Sequence, residues 1–223
     1  FPRDRTMSLT STLRITEIFH SLQGESKTVG IPTVFVRLTG CPLRCQYCDT
    51  AYAFDGGELI ELDAIKAVLE EVGCDYVTVT GGEPLAQPNC LPLLELLCDA
   101  GYNVSLETSG AMPIEQVDKR VSIVMDLKTP ASKEVDKNRY ENIAFLKPAD
   151  QVKFVICDEK DYLWSKAKLD QYDLGAKVNE ILFSPSFEEI EPAQLAEWIL
   201  RDKLKIRMQM QLHKQIWGSV AGK

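Results

Sequence analysis

Short apolar runs and amphipathic helical patterns alternate along the chain. "TVFVRL" (33–38) reads as a strand. Leu62, Ile65, Val68, Leu69 and Val72 then make one apolar helix face, closed by Gly73. "YVTVT" (76–80) predicts the next strand and "LPLLELLCDA" (91–100) the next helix, with Gly101 as its stop. "NVSLET" (103–108), "VSIVMD" (121–126) and "QVKFVI" (151–156) predict further strands, the last followed by a helix over 159–170. "EILFSPS" (180–186) precedes a helix with Pro192 in its first turn and Leu195, Ala196 and Ile199 facing inward. "IRMQMQL" (206–212) alternates as a half-exposed last strand would, and His213 follows it directly.

This alternation predicts an α/β fold, a parallel sheet covered by helices. Several runs are continuously apolar, as in strands buried on both faces. A complete eight-unit barrel takes about 250 residues. Six units in 223 residues predict a partial (β/α)6 TIM-type barrel with mostly parallel strands, although an open doubly wound sheet gives a similar pattern. One domain over 7–223 is expected, with "FPRDRT" (1–6) read as an expression remnant. The unusual residues fall past the carboxyl ends of strands: the cysteines at 41–48, "GGEP" (81–84), "TSG" (108–110), Lys128 and "SPS" (184–186). That edge is where such sheets build their sites.

Composition narrows the function class. The net charge of −8 argues against a nucleic-acid binder. No apolar run approaches the roughly 20 residues of a membrane helix, so no membrane partner is expected. Seven cysteines, an odd number in a chain of this size, fit reduced thiols and a cytoplasmic location better than a disulfide framework.

Three of those cysteines, Cys41, Cys45 and Cys48, fall within "CPLRCQYC". Two would suggest a redox pair and four a closed zinc site; three suggest a metal centre with one position open. A zinc knuckle completed by His20, His213 or a distant cysteine remains open on spacing alone. Cys74, Cys90, Cys98 and Cys157 show no ligand spacing and read as structural. The Cys-x3-Cys-x2-Cys spacing resembles that of the radical S-adenosylmethionine superfamily. The resemblance implies a [4Fe–4S] cluster on Cys41, Cys45 and Cys48. It implies S-adenosylmethionine on the open iron, cleaved by one electron to a 5′-deoxyadenosyl radical. Tyr47 matches the aromatic common in this motif. "GGEP" matches the loop that receives the cofactor's amino group, through Gly81, Gly82 and Glu83, with Glu83 pairing the amine or bracing the loop. Ser109, Asp126, Lys128, Ser184 and Ser186 are further cofactor-contact candidates by position. For Ser109 and Lys128 a plain loop serine and a solvated lysine are equally open readings.

"ITEIFHSLQGES" (15–26) ahead of the cysteine loop narrows the resemblance. With "CDT", "VTGGEP", "LETSG" and "MQLHKQIW", nearly the whole chain resembles the 7-carboxy-7-deazaguanine synthase family. That resemblance implies conversion of 6-carboxy-5,6,7,8-tetrahydropterin to 7-carboxy-7-deazaguanine and ammonia, with magnesium. It also implies an electron donor such as flavodoxin or ferredoxin, and a homodimer. A pterin presents amide and amine edges. Leu22, Gln23, Gly24 and Glu25 are the expected substrate segment, where Gln23 donates and accepts and Glu25 accepts. Arg37 is expected to pair with the substrate carboxylate, Thr80 to add a hydroxyl, and Thr50 to hold magnesium. His213 is either a substrate contact or an ordinary half-buried histidine. A glycyl-radical activating enzyme would share the cysteine loop and "GGEP", and a zinc-bound interaction module is the non-enzymatic alternative.

Overall fold

The computed structural model describes residues 11–218, 220 and 222. The segment 1–6 lies outside them. The strands are β1 (Thr12–Leu22), β2 (Pro32–Leu38), β3 (Glu58–Glu61), β4 (Tyr76–Gly81), β5 (Asn103–Thr108), β6 (Ser122–Asp126), β7 (Gln151–Ile156), β8 (Glu180–Pro185) and β9 (Arg207–Met208). They form one sheet in the order β3-β1-β2-β4-β5-β6-β7-β8-β9. From β2 to β9 every adjacent pair is parallel, whereas β1 is antiparallel to both β2 and β3. The sheet does not close, because β3 and β9 are separate edges. This is the partial barrel that the pattern predicts.

The helices are α1 (Leu62–Val72), α2 (Cys90–Asp99), α3 (Glu159–Gln171), α4 (Leu174–Lys177), α5 (Pro192–Arg201) and α6 (Leu212–Trp217). Leu62, Ile65 and Leu69 of α1 and Leu195 and Ile199 of α5 enter the core; Ala196 is only half-buried. Gly73 and Gly101 hold φ +67° and +89°, the left-handed backbone that ends a helix and that glycine adopts without strain.

Three features of the fold go beyond or differ from the sequence pattern. The six β/α units are incomplete. The crossover from β5 to β6 has no helix, and that from β6 to β7 holds only short 3-10 turns. Ile114, Val117 and Val121 still cover the sheet there, and Asn142 ties the segment by donating to the Gly110 and Met112 carbonyls. β1 is a strand that the pattern does not announce. Leu13 and Ile15 are buried, but a register shift between Ile15 and Glu17 breaks the period of two. The last strand is two residues long, and the chain then turns into α6, so His213 is helical.

The antiparallel β1 decides where "SLQGE" lies. Leu22 pairs with Pro32, the first residue of β2, so residues 23–28 enter from the amino ends of the parallel strands. Lys27 N–H donates to the side chain of Gln151, the first residue of β7, at 2.7 Å. The site is therefore built from both ends of the barrel.

Candidate active site

The described residues enclose a cavity of about 580 Å³ inside the partial barrel. Its carboxyl-edge wall carries Cys41, Cys45, Tyr47, Cys48, Thr50, Gly81, Gly82, Ser109, Asp126, Lys128, Ser184 and Ser186. It is also lined by Leu22, Gln23, Gly24 and Glu25, which enter from the amino ends of the strands, by Arg37 and Thr80 near the carboxyl ends of β2 and β4, and by His213. Every cofactor, substrate or metal candidate of the sequence lines this one space except Glu83.

Glu83 is fully buried behind the wall. Its carboxylate accepts from Leu85 N–H (3.1 Å), Thr108 hydroxyl (2.9 Å) and Ser109 N–H (2.7 Å), with the Ser109 hydroxyl as a fourth donor. With its oxygens so occupied, Glu83 braces the loops after β4 and β5. Of the two readings that the sequence left open for Glu83, these contacts favour the brace. The two preceding glycines also serve the packing of the loops. A Cβ on Gly82 would lie 2.2 Å from the Gly40 carbonyl oxygen and 2.8 Å from Cys41 Cβ. One on Gly81 would lie 2.4 Å from the Leu38 carbonyl oxygen. The glycines let the "GGEP" loop press against the cysteine loop, and Glu83 N–H seals the contact on Gly40 O at 2.8 Å.

Cys41, Cys45 and Cys48 are free and half-buried. Burial pushes the Cys45 thiol up to about 11, and it raises Cys41 as well. Lys128 donates to Asp126 (3.0 Å) and its ammonium lies 5.9 Å from the Tyr47 ring centre. Burial opposes the charge on Lys128, but Asp126 and the thiols of Cys45 and Cys48 hold its ammonium above the ordinary value. Asp126 Oδ1 and Ser184 Oγ are buried without a hydrogen-bond partner among the described residues. Buried polar atoms are normally paired. Three thiols free of disulfides, in one cavity with the Lys128 cation and orphaned oxygens, fit an iron–sulfur cluster and a polar ligand on it. Metal binding draws off the thiol protons.

The other end is a charged network. Lys153, which the sequence pattern does not single out, sits between Glu25, with which it forms an ion pair, and Asp126 at 3.9 Å. Burial raises the Glu25 carboxyl, but the Lys153 ammonium outweighs it and leaves the group below its ordinary value. Glu107, equally inconspicuous in the sequence, accepts from Thr80 at 3.1 Å and from Gln23 at 3.4 Å, and burial, then the charge on Glu25, pushes it up. Arg37 is half-committed: its Nε donates to Glu17 at 2.7 Å, while the guanidinium lies 5.7 Å from the Phe19 ring centre. The free carboxylate fork expected of it is thus reduced to its terminal nitrogens.

Helix α6 closes the network. Leu212 N–H donates to Gly24 O at 3.0 Å, and Gln211 donates to Glu25 at 2.8 Å. Lys214 pairs with Asp49 at 3.0 Å. A Cβ on Gly24 would lie 2.1 Å from His213 Nδ1, so Gly24 is required by the imidazole of His213. That ring is the group for which Gly24 clears space. Gly222 returns the chain end to within 3.6 Å of Glu17 Oε2, measured from a Cβ placed on it. Lys153 and Glu107 look like ordinary strand residues along the chain. Their only sequence signal is a charge interrupting an apolar run, "QVKFVI" and "NVSLET".

The family model of the radical SAM superfamily matches residues 35–138. The 7-carboxy-7-deazaguanine synthase of Chlorobaculum tepidum is 44% identical, the match spanning 95% of this chain and 97% of that protein. Those of Koribacter versatilis and Thermoplasma acidophilum are 42% and 36% identical, spanning 92% and 93% of this chain and 97% and 99% of the relatives. Among solved structures, QueE from Escherichia coli superposes with a TM-score of 0.72 over 91% of this chain and 95% of its own, at 22% identity, a likeness of fold. With cysteine loop, "GGEP" and "SLQGE" gathered on one cavity, the chain belongs to the 7-carboxy-7-deazaguanine synthase family of radical S-adenosylmethionine enzymes.

Proposed function

We propose that this chain converts 6-carboxy-5,6,7,8-tetrahydropterin to 7-carboxy-7-deazaguanine and ammonia. The superfamily works with a [4Fe–4S] cluster and S-adenosylmethionine. The observation that carries the reading is the convergence of the cysteine loop and the "SLQGE" segment on one cavity, from opposite ends of the barrel. When bound, the two cofactors supply a hydrogen-abstracting radical. Cys41, Cys45 and Cys48 hold the cluster. Gly81, Gly82, Ser109, Asp126, Lys128, Ser184, Ser186 and Tyr47 surround the adenosylmethionine.

At the other end, Glu25, held ionised beside Lys153, accepts from the pterin's amino groups. The Gln23 amide and Thr80 hydroxyl, both bonded to Glu107, present fixed polar atoms to its edge. The terminal nitrogens of Arg37 take the substrate carboxylate. Thr50, whose hydroxyl lies 3.7 Å from Cys48 Sγ, offers an oxygen to magnesium between the two ends. His213 and α6 exclude water above the substrate. The active species is a homodimer reduced by flavodoxin or ferredoxin.

The test is anaerobic reconstitution with iron and sulfide. S-adenosylmethionine, dithionite, magnesium and the carboxytetrahydropterin are then added and the product is identified by mass and absorbance. A deazaguanine with released ammonia is expected. Cofactor cleavage without any deazaguanine would overturn the substrate assignment.

A further inference from the structure

The cysteine loop leans on the segment that follows β6. Gln46 N–H donates to the Ser132 carbonyl at 3.1 Å, and Arg44 N–H donates to the Glu134 carboxylate. The residues on either side of Cys45 are thus tied to the residues on either side of Lys133. Lys133 is exposed and holds φ +63°, a left-handed backbone in a 3-10 turn where glycine is the usual residue. Arg44, also exposed, lies 4.2 Å from the Phe54 ring centre and donates to the Cys41 and Leu43 carbonyls at 2.7 Å each. Lys137 follows one turn on, its N–H bonded to the Glu134 carbonyl, and it too is exposed.

The ion pairing of these three cations differs from that of the cavity. Arg37, Lys128, Lys153 and Lys214 each have a carboxylate partner. Arg44, Lys133 and Lys137 have none among the described residues. The acidic groups beside them are Glu134, whose carboxylate is engaged by the Arg44 N–H, Glu189, which accepts from the Gln46 side chain at 2.9 Å, and the exposed Asp136. In a chain of net charge −8, three cations without a carboxylate partner thus stand beside the cysteine loop. Cations so placed attract an acidic partner and orient it.

We infer that Arg44, Lys133 and Lys137 form the docking surface for a small acidic one-electron carrier protein that reduces the cluster. The inference rests on the proposed function, since it needs a cluster on the three cysteines. In the step, one electron leaves the reduced carrier and enters the cluster. The carrier is oxidised by one electron, no bond forms or breaks, and no proton moves. Lys133 would meet the carrier's carboxylates beside the Arg44–Gln46 segment that carries Cys45.

The test uses the reconstituted enzyme and a bacterial flavodoxin, a small acidic flavin protein, as probe. The double variant Lys133→Glu/Lys137→Glu is compared with the parent and with Lys133→Arg/Lys137→Arg. Flavodoxin binding is measured by calorimetry and cluster reduction by stopped-flow absorbance. At low salt the Glu variant is expected to bind flavodoxin about tenfold more weakly and to be reduced correspondingly slower. The gap should close by about 0.5 M salt, and the Arg variant should match the parent. Dithionite-driven turnover should be equal in all three. If the Glu variant binds and accepts electrons from flavodoxin like the parent, the docking surface is elsewhere. If flavodoxin reduces the parent's cluster but dithionite yields no deazaguanine, the proposed substrate fails while the docking surface stands.

Discussion

The two ends of the cavity are held in different ways. At the carboxyl edge, loops touch through backbone: Gly82 against Gly40, Glu83 N–H on Gly40 O, and Gln46 N–H on Ser132 O. Around the substrate-segment residues, long side chains make the contacts: Lys153 on Glu25, Gln211 on Glu25, Lys214 on Asp49 and Arg37 on Glu17. Backbone contacts fix position closely and tolerate almost no added atom. Ion pairs between side chains tolerate changes of shape but depend on charge and pH. A metal cluster needs the first kind of support. A cavity that admits a polar substrate under a short helix can use the second.

Substitutions can break this comparison, and the largest effect is expected at the ligands. Cys45→Ala should abolish cofactor cleavage, whereas Cys98→Ala, on the half-buried side of α2, should leave cluster and turnover intact. Iron content and 5′-deoxyadenosine release measure both. Full activity in Cys45→Ala would end the cluster assignment. Next comes Gly82→Ala, which must push apart the Gly82 and Gly40 backbones, now too close for a Cβ. A loss of about 3 kcal/mol in stability is expected, together with reduced iron loading, read by chemical denaturation and iron analysis. Unchanged loading would mean that the two loops are not mutually dependent.

The charged end should respond more gently. Arg37→Lys loses the Nε bond to Glu17 and the planar fork. It should raise KM for the pterin about tenfold, the value of one charge-assisted hydrogen bond, while substrate-free cofactor cleavage stays level. An unchanged KM would remove Arg37 from substrate binding. Thr50→Ala should weaken the response to magnesium by about tenfold and Thr50→Ser should keep it. Three identical magnesium titrations would return "CDT" to a structural role.

The smallest effect concerns pH. Burial is the main reason that the His213 imidazole is held below its ordinary value, against the pull of Glu25 and Asp49. The folded state therefore binds the proton more weakly than the unfolded chain. The docking of α6 is fully supported above the unfolded histidine value near 6.5 and weakens as pH falls through the lower folded value. Proteolysis at Lys214 should accelerate in mild acid in the parent and lose that acid dependence in His213→Asn. A parent rate flat between neutral pH and mild acid would show that His213 does not couple to the docking.

The chemistry at the carboxyl edge was legible from the chain because it is local. Three cysteines within "CPLRCQYC" and the run "GGEP" carry their meaning in their spacing, and each follows a strand with a clear apolar pattern. A strand–loop unit places such residues at the same edge wherever the sheet is parallel. What lay beyond the sequence depended on pairings between distant segments. Glu83 could be read as a ligand contact or a brace, and only Thr108 and Ser109, 25 and 26 residues away, decide for the brace. Gly24 makes sense only once α6 brings His213 against it. Lys153 and Glu107 gain their roles from the antiparallel β1, which carries Gln23 and Glu25 into the barrel from the opposite end. Spacing along a chain encodes contacts within a few residues. The charge partners of a buried side chain are set by which strands lie side by side, and that is a property of the assembled sheet.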